Sequence, residues 1–151
     1  MKNISARLTK IIAIFLAFAM FFSFGTSVLA AEEVRPYAND YIRDAYASMS
    51  AQGNGKLAIS LSLAATAVMG QLGVSGMIVY ESTDQTNWST VGYYTYNTHS
   101  NLIAYNTQFF NATLTQNGVA GRYYKAQVSF WAGNGGTGDS RIVTTSIVRA
   151  T

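Results

Sequence analysis

The sequence predicts an all-β protein, organised as a single antiparallel β-sandwich of about seven strands and preceded by a helical signal peptide. Three observations carry this prediction. Several segments alternate polar and apolar residues with a period of two, which is typical of strands with one buried face. Turn-forming clusters recur about every ten residues, and the only proline, Pro36, precedes the first predicted strand. We therefore expect a signal peptide over residues 1–30, an N-terminal segment over 31–44 and one β-sandwich domain over 45–151.

The leader has the three parts of a secretory signal peptide. A basic head is followed by twelve unbroken apolar residues at 11–22 and then by small residues ending in Ala30 and Ala31. We expect cleavage after Ala30, with Ala31 as the alternative, and a secreted or envelope-associated product that meets the membrane only through this peptide. The alternative is an uncleaved anchor: twelve apolar residues fall short of the ~20 that span a bilayer, although the uncharged stretch 11–31 is longer.

Charge and cysteine content exclude several classes of function. The whole formal charge of +3 comes from Lys2, Arg7 and Lys10, so the chain from Ala31 onward is formally neutral. A neutral chain without a basic cluster has no electrostatic footprint for nucleic acid. The absence of cysteine excludes thiol catalysis, iron–sulfur clusters and cysteine-based zinc sites. We expect no cofactor.

The first predicted strands follow in order. Residues 45–51 alternate small apolar with polar or tyrosine side chains, which favours a strand, although the stretch from Asp40 also fits a short helix. Residues 57–63 alternate leucine and isoleucine with alanine and serine, which predicts a second strand. Residues 64–69 are alanine-rich and fit either helix or strand; we favour a continuation of the strand that ends at Gly70.

The central part of the chain predicts a hairpin and two further strands. Residues 74–80 are apolar on both faces, so they predict a strand at the centre of a sheet. The turn formers at 82–87 join it to a strand over 88–96. Residues 110–115 and 123–131 again alternate with a period of two.

The C-terminal part resembles the last two strands of immunoglobulin-like domains, including fibronectin type III. The residues that carry the resemblance are 121–128 (GRYYKAQV), a glycine-rich turn at 133–140 and a final strand at 141–149. In those families a tyrosine near the start of the penultimate strand packs the corner of the sandwich. Tyr124 is the candidate here, although the chain lacks the cysteine pair and core tryptophan of antibody domains. The resemblance implies an architecture and no function.

A second resemblance covers nearly the whole mature chain. The segments 35–37 (RPY), 53–56 (GNGK), 80–82 (YES), 87–88 (NW) and 121–124 (GRYY) look like a family of small secreted proteins from Firmicutes, chiefly clostridia, whose function is not assigned. The resemblance implies a secreted bacterial protein and supplies no catalytic residues.

Residues with catalytic or metal-binding chemistry are few. His99, the only histidine, has no nucleophile elbow or acid near it in sequence, so we interpret it as a solvated loop residue. Glu81 and Asp84 are close carboxylates of the kind that glycoside hydrolysis needs, but a strand end for Glu81 and a turn for Asp84 explain them better. Residues 135–139 imperfectly match a calcium-binding nonapeptide, and Asp84 with Asn87 supplies only two calcium ligands. We therefore predict neither a catalytic residue nor a metal site.

Aromatic side chains are the surface feature that predicts binding. Tyr123 and Trp131 lie on the Lys125 and Gln127 face of the predicted strand 123–131, opposite the inferred core. Rings beside hydroxyl and amide groups suit a sugar or a protein partner. The predicted ligand-binding residues are Tyr123, Trp131, Trp88, Tyr93, Lys125 and Gln127. Cross-strand packing of aromatic rings, or a second buried face, is the structural alternative.

The sequence thus predicts a non-catalytic binding module whose partner is a carbohydrate or a cell-surface protein. A second hypothesis is self-assembly through the edge of a charge-poor strand at 142–148, which has no proline to protect it. A hydrolase built on His99, or on Glu81 with Asp84, is the weakest hypothesis. The oligomeric state is left open.

Overall fold

The structure is a computed structural model that describes residues 41–151. The predicted signal peptide and most of the predicted N-terminal segment lie outside the described residues. Seven strands form one antiparallel sheet over the described part of the chain. They are β1 (Ile42–Gly53), β2 (Lys56–Ser82), β3 (Ser89–Tyr94), β4 (Ile103–Asn117), β5 (Tyr123–Asn134), β6 (Thr137–Thr144) and β7 (Val148–Arg149), with one 3₁₀ turn at Ser100–Leu102.

The 27-residue strand β2 is the spine of the sheet. Its first half, residues 56–65, is paired with β1 on one side and β4 on the other. Its second half, residues 71–82, is paired with β5 on one side and with the start of β4 and then β3 on the other. β6 and the short β7 both pair with β5. One strand therefore belongs to both halves of the sheet.

β2 changes register at two places, and the sheet curls. The pairing with β4 shifts between Ala64 and Met69, and the pairing with β5 shifts between Val74 and Gly76. Such bulges bend a strand and increase its twist. As a result β1 contacts β5, β6 and β7, with which it forms no ladder.

Hydrogen bonds join both ends of β1 to segments that are distant in sequence, and so stabilise the curled sheet. The Tyr41 amide donates to Asp139 Oδ2 at 2.7 Å, and Arg141 Nη2 donates to the Ile42 carbonyl at 3.4 Å, so β6 is tied to the start of β1. At the other end of β1, the Gly55 amide donates to the carbonyl of Thr151 at 2.8 Å.

The enclosed faces of the two halves form one hydrophobic core. On β5 the alternate residues Tyr124, Ala126, Val128, Phe130 and Ala132 are fully buried. The facing half contributes the β2 residues Leu57, Ile59, Leu61 and Leu63, together with Ala47, Met49, Phe110 and Leu114. Burial of this apolar surface is the main term that stabilises the fold.

The all-β antiparallel prediction is confirmed, and two of its details are wrong. The strand favoured at 45–51 over a short helix is confirmed as part of β1, with Ala47 and Met49 turned to the core. Gly70 does not end a strand, because β2 continues through it. The turn at 133–140 contains only Gly135 and Gly136 between strands, since β6 begins at Thr137.

The predicted division into two sheets is not seen, because β2 runs through both halves of a single curled sheet. The period-two reading of residues 123–131 is confirmed, with Tyr124 and its alternate neighbours buried. Over residues 41–151, no helix has both the length and the apolar character that a membrane span requires.

Candidate functional site

The four predicted ligand-binding residues that lie on β5 share one face of the sheet. Five half-buried residues of β5 alternate with its core residues: Tyr123, Lys125, Gln127, Ser129 and Trp131. We call the side of the second half of β2, β3 and β5 that carries them the outer face. Because none of the five is fully buried, part of each side chain remains open to solvent.

Trp131 lines a groove at one end of the outer face. The groove has a volume of about 260 Å³ and no charged side chain in its lining. Its lining residues are Gln71, Gly73, Val74, Ser75, Tyr96, Ile103 and Trp131. Aromatic and aliphatic walls with a few polar groups are typical of small-molecule sites.

Two glycines of the β5–β6 hairpin make room for the Trp131 indole. A Cβ atom on Gly138 would lie 2.6 Å from Trp131 Cζ2, and one on Gly133 would lie 2.8 Å from the same atom. Gly133 and Gly138 are direct partners in the β5–β6 ladder. The indole therefore lies against backbone at positions where any other residue would place a side chain.

The opposite wall of the groove comes from the β3–β4 connection. Tyr96 lies in that connection and Ile103 begins β4, which pairs there with Gly73. A Cβ atom on Gly73 would collide with the Leu102 carbonyl, so glycine permits this close approach. Ser75 lies at the second register shift of β2, and its hydroxyl donates to the Ser129 carbonyl at 3.0 Å.

Tyr93 lies between the middle of the outer face and the groove. It is opposite Ile78, whose other neighbour across the sheet is Gln127. The Tyr93 side chain is 67% exposed, and its hydroxyl lies over Gly76, 3.9 Å from where a Cβ atom would be. Tyr93 is therefore an open aromatic side chain next to the groove.

Lys125 and Trp88 form a separate cluster. Lys125 Nζ lies 4.2 Å from the centroid of the Trp88 ring and 5.9 Å from that of Tyr80. The Trp88 indole N–H donates to the Gln85 carbonyl at 3.1 Å. One face of Trp88 is thus covered by a cation and its N–H is engaged, which leaves this ring less free to bind a ligand.

The predicted set therefore divides along β5. Tyr123 lies at the end of β5 near Lys125 and Trp88. Its ring centroid is 5.8 Å from Cζ of Arg149. Trp131 is six residues beyond Lys125, roughly 20 Å at the rise of an extended strand. Tyr96 was missed because it follows β3 in an irregular segment, although the tyrosine density at 93–96 is a signal that could have indicated it.

The Glu81 carboxylate is bonded to two neighbouring side chains. Its carboxylate accepts hydrogen bonds from the Tyr124 hydroxyl and from Arg122, which also forms an ion pair with it. The hydrogen bond from Tyr124, and then the Arg122 contacts, lower the pKa of Glu81 against the opposing effect of burial. Burial and the bond to Glu81 raise the pKa of the Tyr124 hydroxyl.

Both carboxylate oxygens of Asp84 accept hydrogen bonds from the turn around it. Its carboxylate accepts from the amides of Thr86 and Asn87 at 2.8 Å, from Asn87 Nδ2 and from the Ser82 hydroxyl. These bonds hold the pKa of Asp84 far below its usual range, the backbone bond from Asn87 most of all. This geometry supports neither a catalytic pair with Glu81 nor a calcium site with Asn87.

The remaining candidates have local partners. His99 Nδ1 lies 3.0 Å from the Thr98 hydroxyl, and its ring meets Tyr94 edge-on at 5.0 Å between centroids. Within residues 41–151, no three histidine, aspartate or glutamate side chains come close enough together to hold a metal ion.

Comparisons with known proteins give no relative from which to transfer a role. No protein-family model matches the chain, and curated proteins give no match either. The candidate site therefore depends on its own geometry.

Proposed function

We propose that the protein is a secreted, non-catalytic binding module that holds an uncharged carbohydrate in the groove beside Trp131. The observation that carries this proposal is the groove itself, in which the Trp131 indole and Tyr96 lie beside Gln71 and Ser75. An aromatic ring covers the apolar C–H face of a sugar ring, while amide and hydroxyl groups bond to its hydroxyls.

The size and charge of the groove support a narrow class of ligand. A volume of about 260 Å³ is just below the ~300 Å³ at which pockets for drug-sized ligands begin. It suits a single sugar ring or the end of a chain. Since no lining residue is charged, a neutral sugar fits better than an acidic one, which would need a cation for its carboxylate.

The proposal also includes the location of the protein outside the cell and the finer architecture of its fold. The leader at residues 1–30 supports export. The segments 35–37, 53–56, 80–82, 87–88 and 121–124 support kinship with secreted Firmicutes proteins. We further propose an immunoglobulin-like sandwich in which β2 contributes to both layers. The Tyr124 hydroxyl, which accepts a bond from the Val119 amide at 2.7 Å, supports this reading, because corner tyrosines of such sandwiches bond to backbone a few residues upstream.

The test uses protein purified from a bacterial host that expresses and secretes the full chain. Binding is measured by co-sedimentation with insoluble cell-wall and plant polysaccharides, and by titration with their neutral oligosaccharides. Since the chain has two tryptophans, a Trp88→Phe variant reports on Trp131 fluorescence alone. We expect saturable binding and a shift in Trp131 emission.

Variants locate the binding site. Trp131→Ala should weaken binding at least tenfold, and Tyr96→Ala should weaken it less. Tyr123→Ala, on the same face of β5 but at its far end, is the matched control and should bind like the wild type. Equal binding by Trp131→Ala, or binding to none of the carbohydrates, would contradict the proposal and favour a cell-surface protein as the partner.

A further inference from the structure

We propose that the free edge of β4 is a dimerisation surface, which pairs antiparallel with β4 of a second copy of this chain. β4 is 15 residues long and pairs only with β2. In the described part of the chain, no strand pairs with its other edge. A free edge offers a row of unpaired backbone N–H and C=O groups, and the group that complements such a row is another strand.

From Phe110 onward, β4 lacks the devices that normally protect an edge. Its sequence, IAYNTQFFNATLTQN, contains no charged residue and no proline. The φ of Asn106 is 52°, and the register with β2 shifts between Thr107 and Phe109, where the Thr107 hydroxyl also bonds to the Phe109 backbone. Beyond Phe109 the pairing with β2 is regular. Proteins usually discourage strand addition with lysine, proline or bulges along the edge, and the stretch from Phe110 to Asn117 has none of them.

The other edges of the sheet are better protected. β6 includes part of the segment 142–148 that the sequence favoured for self-assembly, but its Asp139 and Arg141 side chains bond to the start of β1. β1 carries Arg43 and Asp44, and β3 has only six residues. The structure therefore moves the self-assembly hypothesis from the C-terminal strand to β4.

Exposed apolar side chains surround the same edge. Tyr105 and Phe109 on β4 are 60% and 56% exposed, and Val68, in the adjoining irregular part of β2, is 61% exposed. Large apolar side chains that cluster at the surface are typical of interaction sites. An unpaired edge and an apolar patch thus coincide.

A second copy is the partner that the sequence of β4 favours. When two β4 strands pair about Ala112, each Phe110 is opposite Leu114 of the other copy, and each Asn111 is opposite Thr113. Antiparallel pairing keeps core-facing residues on one side, so apolar groups meet apolar groups and polar groups meet polar groups. Because β4 has no charged residue, no like charges are opposite each other in this pairing. The two-fold symmetry repeats every contact.

Sedimentation velocity of the purified protein over a wide concentration range tests the proposal. We expect a concentration-dependent dimer. Asn111→Lys with Thr113→Lys places like charges opposite each other across the axis and should raise the dissociation constant at least tenfold. Asn111→Lys with Thr113→Glu places opposite charges there and should restore the dimer. Ser50→Lys with Gln52→Lys adds the same charges two residues apart at exposed sites on β1, away from β4, and is the matched control.

Cross-linking checks the register with minimal change to the fold. The chain has no cysteine, so Asn111→Cys and Thr113→Cys each introduce a single thiol. Mixed and oxidised with glutathione disulfide, the two variants should form a heterodimer. Either variant alone should not, because like positions lie on a diagonal about 7–8 Å apart, too far for a disulfide. A monomer at all concentrations, or a dimer insensitive to the paired lysines, would overturn the proposal.

Discussion

The hydroxyl of Tyr124 donates to the carboxylate of Glu81 and accepts from the backbone amide of Val119. This contact joins the start of β5 to the end of β2, where the two residues are direct ladder partners. Tyr124 is fully buried, so its hydroxyl has no water to replace either partner. One buried oxygen thus connects two strands and the segment between β4 and β5.

Tyr124→Phe should destabilise the fold by about 1–3 kcal/mol, because the change removes both hydrogen bonds of a buried hydroxyl, one of them to a carboxylate. Urea unfolding followed by tryptophan fluorescence measures the free energy. The control is Tyr123→Phe, whose side chain points to the outer face and which should change stability by no more than ~0.5 kcal/mol. Equal effects of the two variants would contradict a structural role for the Tyr124 hydroxyl.

The Glu81 contacts should make stability depend on acid pH. Its pKa is lowered from 4.5 in the folded chain, so the unfolded chain binds the proton more readily. The stabilisation is therefore complete above pH 4.5 and is lost as the pH falls through the lower, folded pKa. We expect Glu81→Gln to be less stable than the wild type at pH 7, with a difference that narrows steadily below pH 4.5. A difference that stays constant with pH would contradict this role.

The strands were predictable because each half of the core is built from period-two segments. The patterns at 57–63 and 123–131 depend only on which side chains meet the core, and the structure follows them. The continuity of β2 through Gly70 was not predictable in the same way. An isolated glycine weakens a strand without ending it, and here the neighbouring strands β4 and β5 supply the pairing on both sides.

The candidate site was predictable in part, because period-two alternation also shows which side chains of a strand face away from the core. Periodicity placed Trp131 and Tyr123 on one face of β5, which the structure confirms. It could not show that Trp88 lies under Lys125 or that Tyr96 comes beside Trp131, because both contacts depend on how the connections around β3 fold back over the sheet.

Gly138→Ala should displace the indole of Trp131. The added Cβ would lie 2.6 Å from the ring and 2.5 Å from the Ala132 carbonyl, so both ring and backbone must move. We expect a loss of about 1–3 kcal/mol from overpacking and, in a Trp88→Phe background, a shift of Trp131 emission to longer wavelength. Gly76→Ala is the matched control, since its Cβ would meet only the Tyr93 hydroxyl at 3.9 Å. Unchanged emission in Gly138→Ala would show that the two glycines do not hold the ring.

Lys125→Met should uncouple Trp88 from its cation while keeping most of the side-chain volume. The ammonium group lies 4.2 Å from the Trp88 ring centroid, and an exposed cation–π contact is worth about 0.5–1 kcal/mol. We expect a loss of that size in urea unfolding and a change in Trp88 emission, measured in a Trp131→Phe background.

Two further variants separate charge from packing at this cluster. Lys125→Arg keeps a cation over the ring and should retain most of the stability. Lys56→Met removes an exposed lysine at the start of β2 and should have no effect on Trp88 emission. If Lys125→Met and Lys56→Met behave alike, Trp88 is held by its indole N–H bond to Gln85 alone, and its ring becomes available again as a ligand contact at the far end of the outer face.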